Sequence, residues 1–347
     1  MKFGPLPLEK AEGKILGHNI AGPDGKRAFR KGKPITADDV AALRAMGRAA
    51  VYVAELEPGD VDEDTAARRV TQTVMGGGLR LSGPASGRVN LSAELPPAAV
   101  VGVVRVDAEK LSRINDCDGV TVATLVAHSP VRAKQIVATV KIIPFAVPDS
   151  TLQTVESIGG PVVRIDALEP KTVAVILSGS LSVRERVAND FDAPLRTRIE
   201  ALGSAVTAVD YVSLEDESGE AALAEALARH VKAGMGLIVL AGETAIMDRR
   251  DIAPRAIERA GGEVTCLGAP VDPGNLLMVG YVGNVPVLGA PGCARSRKVN
   301  VVDWALPRLL AGDRLTRKDV MALGHGGLLE DIPERPMPRG KTIDDRP

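Results

Sequence analysis

Glu243, Thr244, Asp248 and Asp251 stand in one short loop, 242–251, directly after the apolar run Leu237–Leu240. A short continuous apolar run that breaks at Gly242 has the pattern of a buried parallel strand. Asp251-Ile-Ala-Pro254 then opens a helix, with proline in the first turn, where its missing N–H is not needed. A loop that leaves the C-terminal end of a strand for a helix N-terminus is where open α/β sheets bind ligands, anions above all. Asp248 and Asp251 could hold a divalent metal or serve as acid–base groups, and the backbone N–H groups around Gly242 could take a phosphate. Spacing alone favours Asp251 as a plain N-cap. Nothing local calls for Asp248.

The pattern from Lys171 onward shows what positions that loop. Val173–Leu177 reads as a strand leading into Ser178-Gly-Ser-Leu-Ser182, and Arg186–Leu202 as an amphipathic helix stopped by Gly203. Val206–Val212 reads as a second strand and Glu220–Lys232 as a helix capped by Ser218. The helix Ile252–Ala260, the strands Val264–Leu267, Leu276–Val282 and Val285–Leu288, and a last helix over Ser296–Leu310 complete the set. Such alternation implies an α/β domain over 171–311, a three-layer fold with a mainly parallel sheet. The short link Tyr281–Val285 implies a hairpin and one reversed strand. Four loops then share one edge: 178–182, 213–218, 242–251 and 289–296. They bring carboxylates at Glu215, Asp216, Asp248 and Asp251, and one cation, Arg295. Arg295 falls at the start of the last helix, where the dipole opposes a cation, so an anion is expected beside it. N–H groups and carboxylates together call for a phosphorylated ligand with Mg²⁺ between them.

Residues 1–150 have another texture, an irregular, strand-rich α+β region. Ala49–Val53, Val100–Val106 and Gln135–Ile143 read as strands, and Ala37–Met46 and Asp64–Val74 as helices. Gly76-Gly-Gly78 reads as a turn, since no capped helix start follows it. Residues 151–170 read as a linker and 312–347 as a proline- and charge-rich tail. The length implies at least two domains. With 43 basic against 44 acidic residues there is no basic field for nucleic acid, and 2% aromatic content leaves little for base stacking. Three scattered cysteines without metal-ligand spacing, and no run of membrane-span length, point to a reduced cytoplasmic protein. Cys293 reads as a small turn residue, and His230, between Arg229 and Lys232, as a surface group.

At these same residues the chain resembles the molybdopterin-binding domain of molybdenum-cofactor biosynthesis proteins of the MogA and MoeA type. Ala241-Gly-Glu-Thr-Ala245 with Asp248-Arg-Arg-Asp251 is similar to the family's Thr-Gly-Gly loop and its following acidic residue. Gly289-Ala-Pro-Gly-Cys-Ala294 is similar to its Gly-Leu-Pro-Gly-Asn-Pro turn, and Glu215-Asp-Glu217 to its acidic loop. Asp272-Pro-Gly-Asn-Leu276 stands where the family has Lys-Pro-Gly-Lys-Pro, with both lysines replaced. A fainter likeness to MoeA proteins runs through Leu8–Gly17 and Lys31–Gly47.

The resemblance implies molybdopterin, or its nucleotide-activated form, as ligand, with Mg²⁺ and ATP or AMP as the accompanying cofactors. It implies a cytoplasmic homo-oligomer that meets other molybdenum-cofactor enzymes. Asp216, Asp248 and Asp251 would be the catalytic carboxylates, the last two also holding the metal. Ser178, Gly179, Ser180, Gly242, Glu243, Thr244, Pro291, Gly292, Arg295 and Ser296 would bind the ligand, with Arg295 making good the lost lysines. Three functions fit: an Mg-dependent transferase for adenylyl transfer or molybdate insertion, a non-catalytic molybdopterin carrier, and a nucleotide pyrophosphatase of the competence-damage type. The lost lysines favour the carrier.

Overall fold

A computed structural model describes residues 1–214 and 218–329. The chain forms two compact units. The first takes residues 1–94, 104–127 and 133–165, and the second takes 95–103, 128–132 and the described residues from 166 to 329.

In the first unit, β1 (Lys2–Pro7) pairs antiparallel with β2 (Ala50–Glu55), whose other edge carries the short strand Ile15–Leu16. Between them, helix α1 (Ala37–Ala45) starts at Thr36, whose hydroxyl accepts from the Asp39 N–H while the Asp39 carboxylate accepts from the Thr36 N–H. Leu8, Leu16, Leu43, Val51 and Val53 fill the small core beneath. Helix α2 (Glu63–Val74) buries Ala66, Ala67, Val70 and Val74. It lies against a four-stranded antiparallel sheet built from β3 (Leu79–Ala85), β4 (Arg88–Ala93), β5 (Val120–Thr124) and β6 (Ile136–Ile142), in the order β5-β6-β4-β3. Gly76 is a turn as expected: its N–H donates to Val163 C=O, and a Cβ there would lie 2.8 Å from Arg164 Cβ. The stretch read as a linker carries a helix, Asp149–Ile158, which buries Leu152 and Val155, and a strand, Val163–Ala167.

The second unit is a mixed α/β layer structure around six strands. They are β7 (Thr172–Gly179), β8 (Ala205–Ser213), β9 (Leu237–Gly242), β10 (Glu263–Leu267), β11 (Met278–Val282) and β12 (Val285–Gly289). Their order is β8-β7-β9-β12-β11-β10. β7 runs parallel to β8 and β9, and β9 parallel to β12, while β11 is reversed through the hairpin at Val282 and Val285. The interior strand β7 explains its own composition. Successive side chains point to opposite faces, and both faces are covered. Val173, Val175 and Leu177 join Phe191, Leu195 and Ile199 of α3 (Arg184–Ala201) and Val302 and Leu306 of α6 (Val301–Leu310). Ala174 and Ile176 join Leu223 and Leu227 of α4 (Ser218–Lys232) and Ala256 and Ile257 of α5 (Ile252–Arg259).

Residues Arg317–Met321 form a further short helix that buries Val320, so the start of the tail is built into this unit. Among the described residues, no helix is long and apolar enough to cross a membrane.

Candidate functional site

The ends of β7, β9 and β12 open onto a pocket of 290 Å³. Ile176, Leu223, Leu240 and Ile252 give it an apolar lining, and Ser178, Thr244 and Asp251 are among its polar residues. Glycine brings two strand ends together here: a Cβ on Gly242 would lie 2.5 Å from Ser178 Oγ and 2.7 Å from Ser178 O. The backbone bond that follows, Glu243 N–H to Ser178 C=O at 2.8 Å, ties the loop 242–251 to the loop after β7.

The N–H groups expected to receive an anion already have carboxylates on them. Glu243 Oε2 accepts from the Ser180 N–H at 3.0 Å and from Ser180 Oγ at 3.2 Å, while Arg186 Nη2 stands 3.6 Å from Oε1. Ser180 is also held from its carbonyl side, by Tyr211 Oη at 2.7 Å. Asp251 occupies the first position before α5, yet its side chain makes no capping bond to the helix. It turns back into the loop, where Oδ2 accepts from the Met247 N–H at 2.5 Å and the Asp248 N–H at 2.9 Å. Asp248 Oδ1 in turn accepts from the Arg250 N–H at 2.9 Å.

These observations correct two readings. The carboxylate of Asp251 organises the loop instead of capping the helix, its Oδ2 being taken by two N–H groups that precede it. Asp248 has a local task after all, closing a turn on itself. Among the described residues, no three His, Cys, Asp or Glu side chains come together as metal ligands. Asp248 and Asp251 each spend a carboxylate oxygen on backbone N–H groups of this loop. Asp216, with Glu215 and Glu217, lies outside the described residues.

The fourth loop also differs from expectation. Gly292–Arg295 forms a single 3₁₀ turn after Pro291, and helix α6 begins only at Val301. Asn300 caps it, with Oδ1 accepting from the Val302 N–H at 3.0 Å. Arg295 and Ser296 therefore do not stand at a helix start, and the electrostatic reason for an anion beside Arg295 disappears. Arg295 lies over the Phe191 ring, 5.7 Å from its centroid, and its Nη1 is 3.5 Å from Asp190 Oδ2. Ser296 Oγ accepts from the Lys298 N–H at 3.1 Å. Burial pushes the Cys293 thiol upward, which keeps it neutral and suits a turn filler. At Asp272–Asn275, where the resembled family has lysines, the backbone is flanked by the chain's own later segment. The Asp272 N–H donates to Gly327 C=O, and the Leu329 N–H donates to Asp272 C=O, both at 2.8 Å.

Sequence reading missed the residue that arranges this loop. Arg198 is 9% exposed, and its guanidinium donates to Asp303 Oδ1 at 2.9 Å and to the carbonyls of Ala294, Ser296 and Lys298 at 3.1, 2.7 and 2.9 Å. A signal was there: Arg198 shares the apolar stripe of α3 with Phe191, Leu195 and Ile199, so a charge stands where the helix faces the core. His230 is also not a surface group. It is 6% exposed, with Nε2 2.7 Å from Asp210 Oδ2. Burial alone would raise the Asp210 carboxyl, but the partners Arg229 and His230 bring it below the usual range.

The fold is of mixed α/β class, with a pocket at the ends of its parallel strands that one carboxylate, Asp251, lines. A family model described as a domain of unknown function (DUF8806) matches residues 5–55. No curated protein matches the chain. Among solved structures, a molybdopterin biosynthesis MoeA protein from Pyrococcus horikosii is similar at 15% identity over 90% of this chain and 75% of its own, with a TM-score of 0.30. The molybdopterin biosynthesis enzyme MoaB from Thermus is similar at 16% identity over 41% of this chain and 98% of its own, also with a TM-score of 0.30. At identities and scores this low, the site's own geometry has to carry the functional reading.

Proposed function

We propose that the second unit is a molybdopterin-binding module of carrier type, holding its ligand by the pterin ring and not transferring a group to it. The observation that carries this is the pocket at the ends of β7 and β9: apolar sides with one lining carboxylate, Asp251. A flat ring fits such walls. A pterin's aminopyrimidinone edge presents adjacent N–H donors, and Asp251 Oδ1 accepts no hydrogen bond from the described residues, so it is open to such a donor. A phosphate is disfavoured here, since Glu243 and Asp251 already hold the loop N–H groups of Ser180, Met247 and Asp248. The ligand's phosphate therefore lies outside the pocket. The motif order along residues 171–311 supports the choice of pterin, and the replacement of the resembled family's two lysines by Asp272 and Asn275 supports a carrier over an Mg-dependent transferase.

The test is the pterin content of the full chain purified from cells grown with molybdate, read by mass spectrometry after oxidation. Thr244 is exposed on the rim, and Thr244→Trp fills the pocket without touching the core. Wild type is expected to carry pterin and the variant about tenfold less, a change of roughly 1.4 kcal/mol in binding, with equal melting temperatures. Wild type free of pterin, or a variant carrying as much, would overturn the reading.

A further inference from the structure

The first unit holds a larger cleft, of 610 Å³, built entirely from its own residues. Its aromatic content is out of proportion to the chain. Phe3 and Phe145 line it, and Tyr52 packs beside Phe3, so that three of the chain's eight Phe, Tyr and Trp residues meet at one place. Phe3 and Phe145 are stacked with centroids 6.4 Å apart, and His18 stands edge-on to Phe3 at 5.5 Å. Burying these rings is not the purpose of the cluster, because Phe3 and Tyr52 are each 47% exposed and Ile143 beside them 62%. Aromatic surface left open on the wall of a cleft marks a binding face.

The charged residues of the cleft are mostly basic. Arg30, Lys31, Arg88 and Lys141 line it, against the single carboxylate of Glu63. Glu63 belongs to Lys141, with Nζ to Oε2 at 3.2 Å. Among the described residues, the side chains of Arg30, Lys31 and Arg88 form no ion pair. Three unpaired cations around open rings suit one compact anion on a flat body. Three glycines let the backbone and rings come close. A Cβ on Gly17 would lie 2.7 Å from the Phe3 ring, one on Gly87 would lie 2.6 Å from Glu63 Oε2, and one on Gly32 would touch the Phe145 ring at 3.5 Å. Gly32 and Gly87 have φ of +82° and +68°, which side-chain-bearing residues rarely adopt.

We propose that this cleft is a second ligand site, taking a planar heteroaromatic ring that carries a phosphate, in the simplest case a nucleoside monophosphate. The ring stacks on Phe3 and the phosphate is held by Arg88 with Arg30 and Lys31. The volume falls in the usual range of small-molecule sites, roughly 300–1,000 Å³. The site rests on residues of the first unit alone and stands or falls apart from the pterin reading of the second.

Calorimetry on the full chain tests it, with AMP as the probe and adenosine, inorganic phosphate and a ten-residue thymidine oligonucleotide as comparisons. AMP is expected to bind, and adenosine and phosphate each at least about tenfold more weakly, because each supplies half of the recognition. Phe3→Ala removes the stacking platform and is expected to weaken AMP by about tenfold. Arg88→Glu, at an exposed position, is expected to do the same and to flatten the salt dependence, since one charge of the clamp is reversed. AMP binding that is lost in Thr244→Trp and kept in Phe3→Ala would place the nucleotide in the second unit and overturn the proposal. No heat with millimolar AMP overturns the proposal, and so does wild-type affinity in both Phe3→Ala and Arg88→Glu with circular dichroism intact. An oligonucleotide bound more than about tenfold tighter than AMP would also overturn it, assigning the cleft to single-stranded nucleic acid instead.

Discussion

Replacing Arg198 by Met keeps the length and the apolar stem of the side chain and deletes its charge and every donor. In the folded chain the guanidinium bonds to one carboxylate and four carbonyls, those of Pro194, Ala294, Ser296 and Lys298. A hydrogen bond to a charged group contributes about 1.5–3 kcal/mol, but these do not simply add. Asp303 keeps the Asn300 N–H at 2.9 Å and is 29% exposed, so water partly replaces the lost partner. The loop carbonyls can also relax toward solvent. The relevant scale is that of breaking a buried pair from one side, about 3–5 kcal/mol. For a unit of this size that corresponds to a fall in melting temperature of roughly 6–20 °C. The assay is urea and thermal unfolding followed by fluorescence of Trp304, the chain's only tryptophan, which neighbours Asp303 on α6. Arg198→Lys should recover less than half of the loss, because one ammonium cannot reach acceptors that a planar fork spans. A loss under about 1 kcal/mol in Arg198→Met, or full recovery in Arg198→Lys, would refute the reasoning.

Glu243→Ala uncovers the Ser180 N–H and removes a negative charge from the loop 242–251. It is expected to cost about 1 kcal/mol of stability and to create phosphate binding that wild type lacks; calorimetry showing equally weak phosphate binding in both proteins would count against internal occupancy of the anion position. Asp319 yields a pH prediction. Burial alone would raise its carboxyl, yet the Thr316 hydroxyl and N–H and the Arg308 guanidinium bring it to about 2, against 3.8 ordinarily. A folded pKa below the unfolded one means stability present above about pH 4 and lost as pH falls toward 2. With the side chain 35% exposed, solvent screening reduces the contribution to about 1 kcal/mol. Asp319→Asn should therefore be less stable than wild type at pH 7, with the gap closing between about pH 4 and 2 in acid unfolding; a gap independent of pH would sink the assignment.

Periodicity made the second unit readable. Continuous apolar runs such as Val173–Leu177 and Leu237–Leu240 have the pattern of strands covered on both faces, and a link as short as Tyr281–Val285 fits a hairpin, as the structure has them. From that alternation the shared edge of loops 178–182, 242–251 and 289–296 followed, and the pocket lies there. What pattern could not supply was the direction in which each polar side chain turns. A carboxylate before a helix can cap it or fold backward, and at Asp251 the difference is a few ångströms of loop path. Arg295 looked like a helix-start cation because helical propensity blurs the boundary, which Asn300 places five residues later.

Arg198 left a trace, a charge on an apolar stripe, but its acceptors lie on a loop about a hundred residues away, and no local rule names them. The basic, aromatic cleft of the first unit left no trace. Phe3, Arg30, Arg88 and Phe145 are each unremarkable where they stand in the chain, and a 2% aromatic content argued against any stacking surface. Local sequence determines which segments are strands and helices, because backbone hydrogen bonding and side-chain alternation act over a few residues. Which distant side chains share a cleft is decided only when those segments pack, since that depends on strand order, register and the close approaches that glycines such as Gly17 and Gly87 allow.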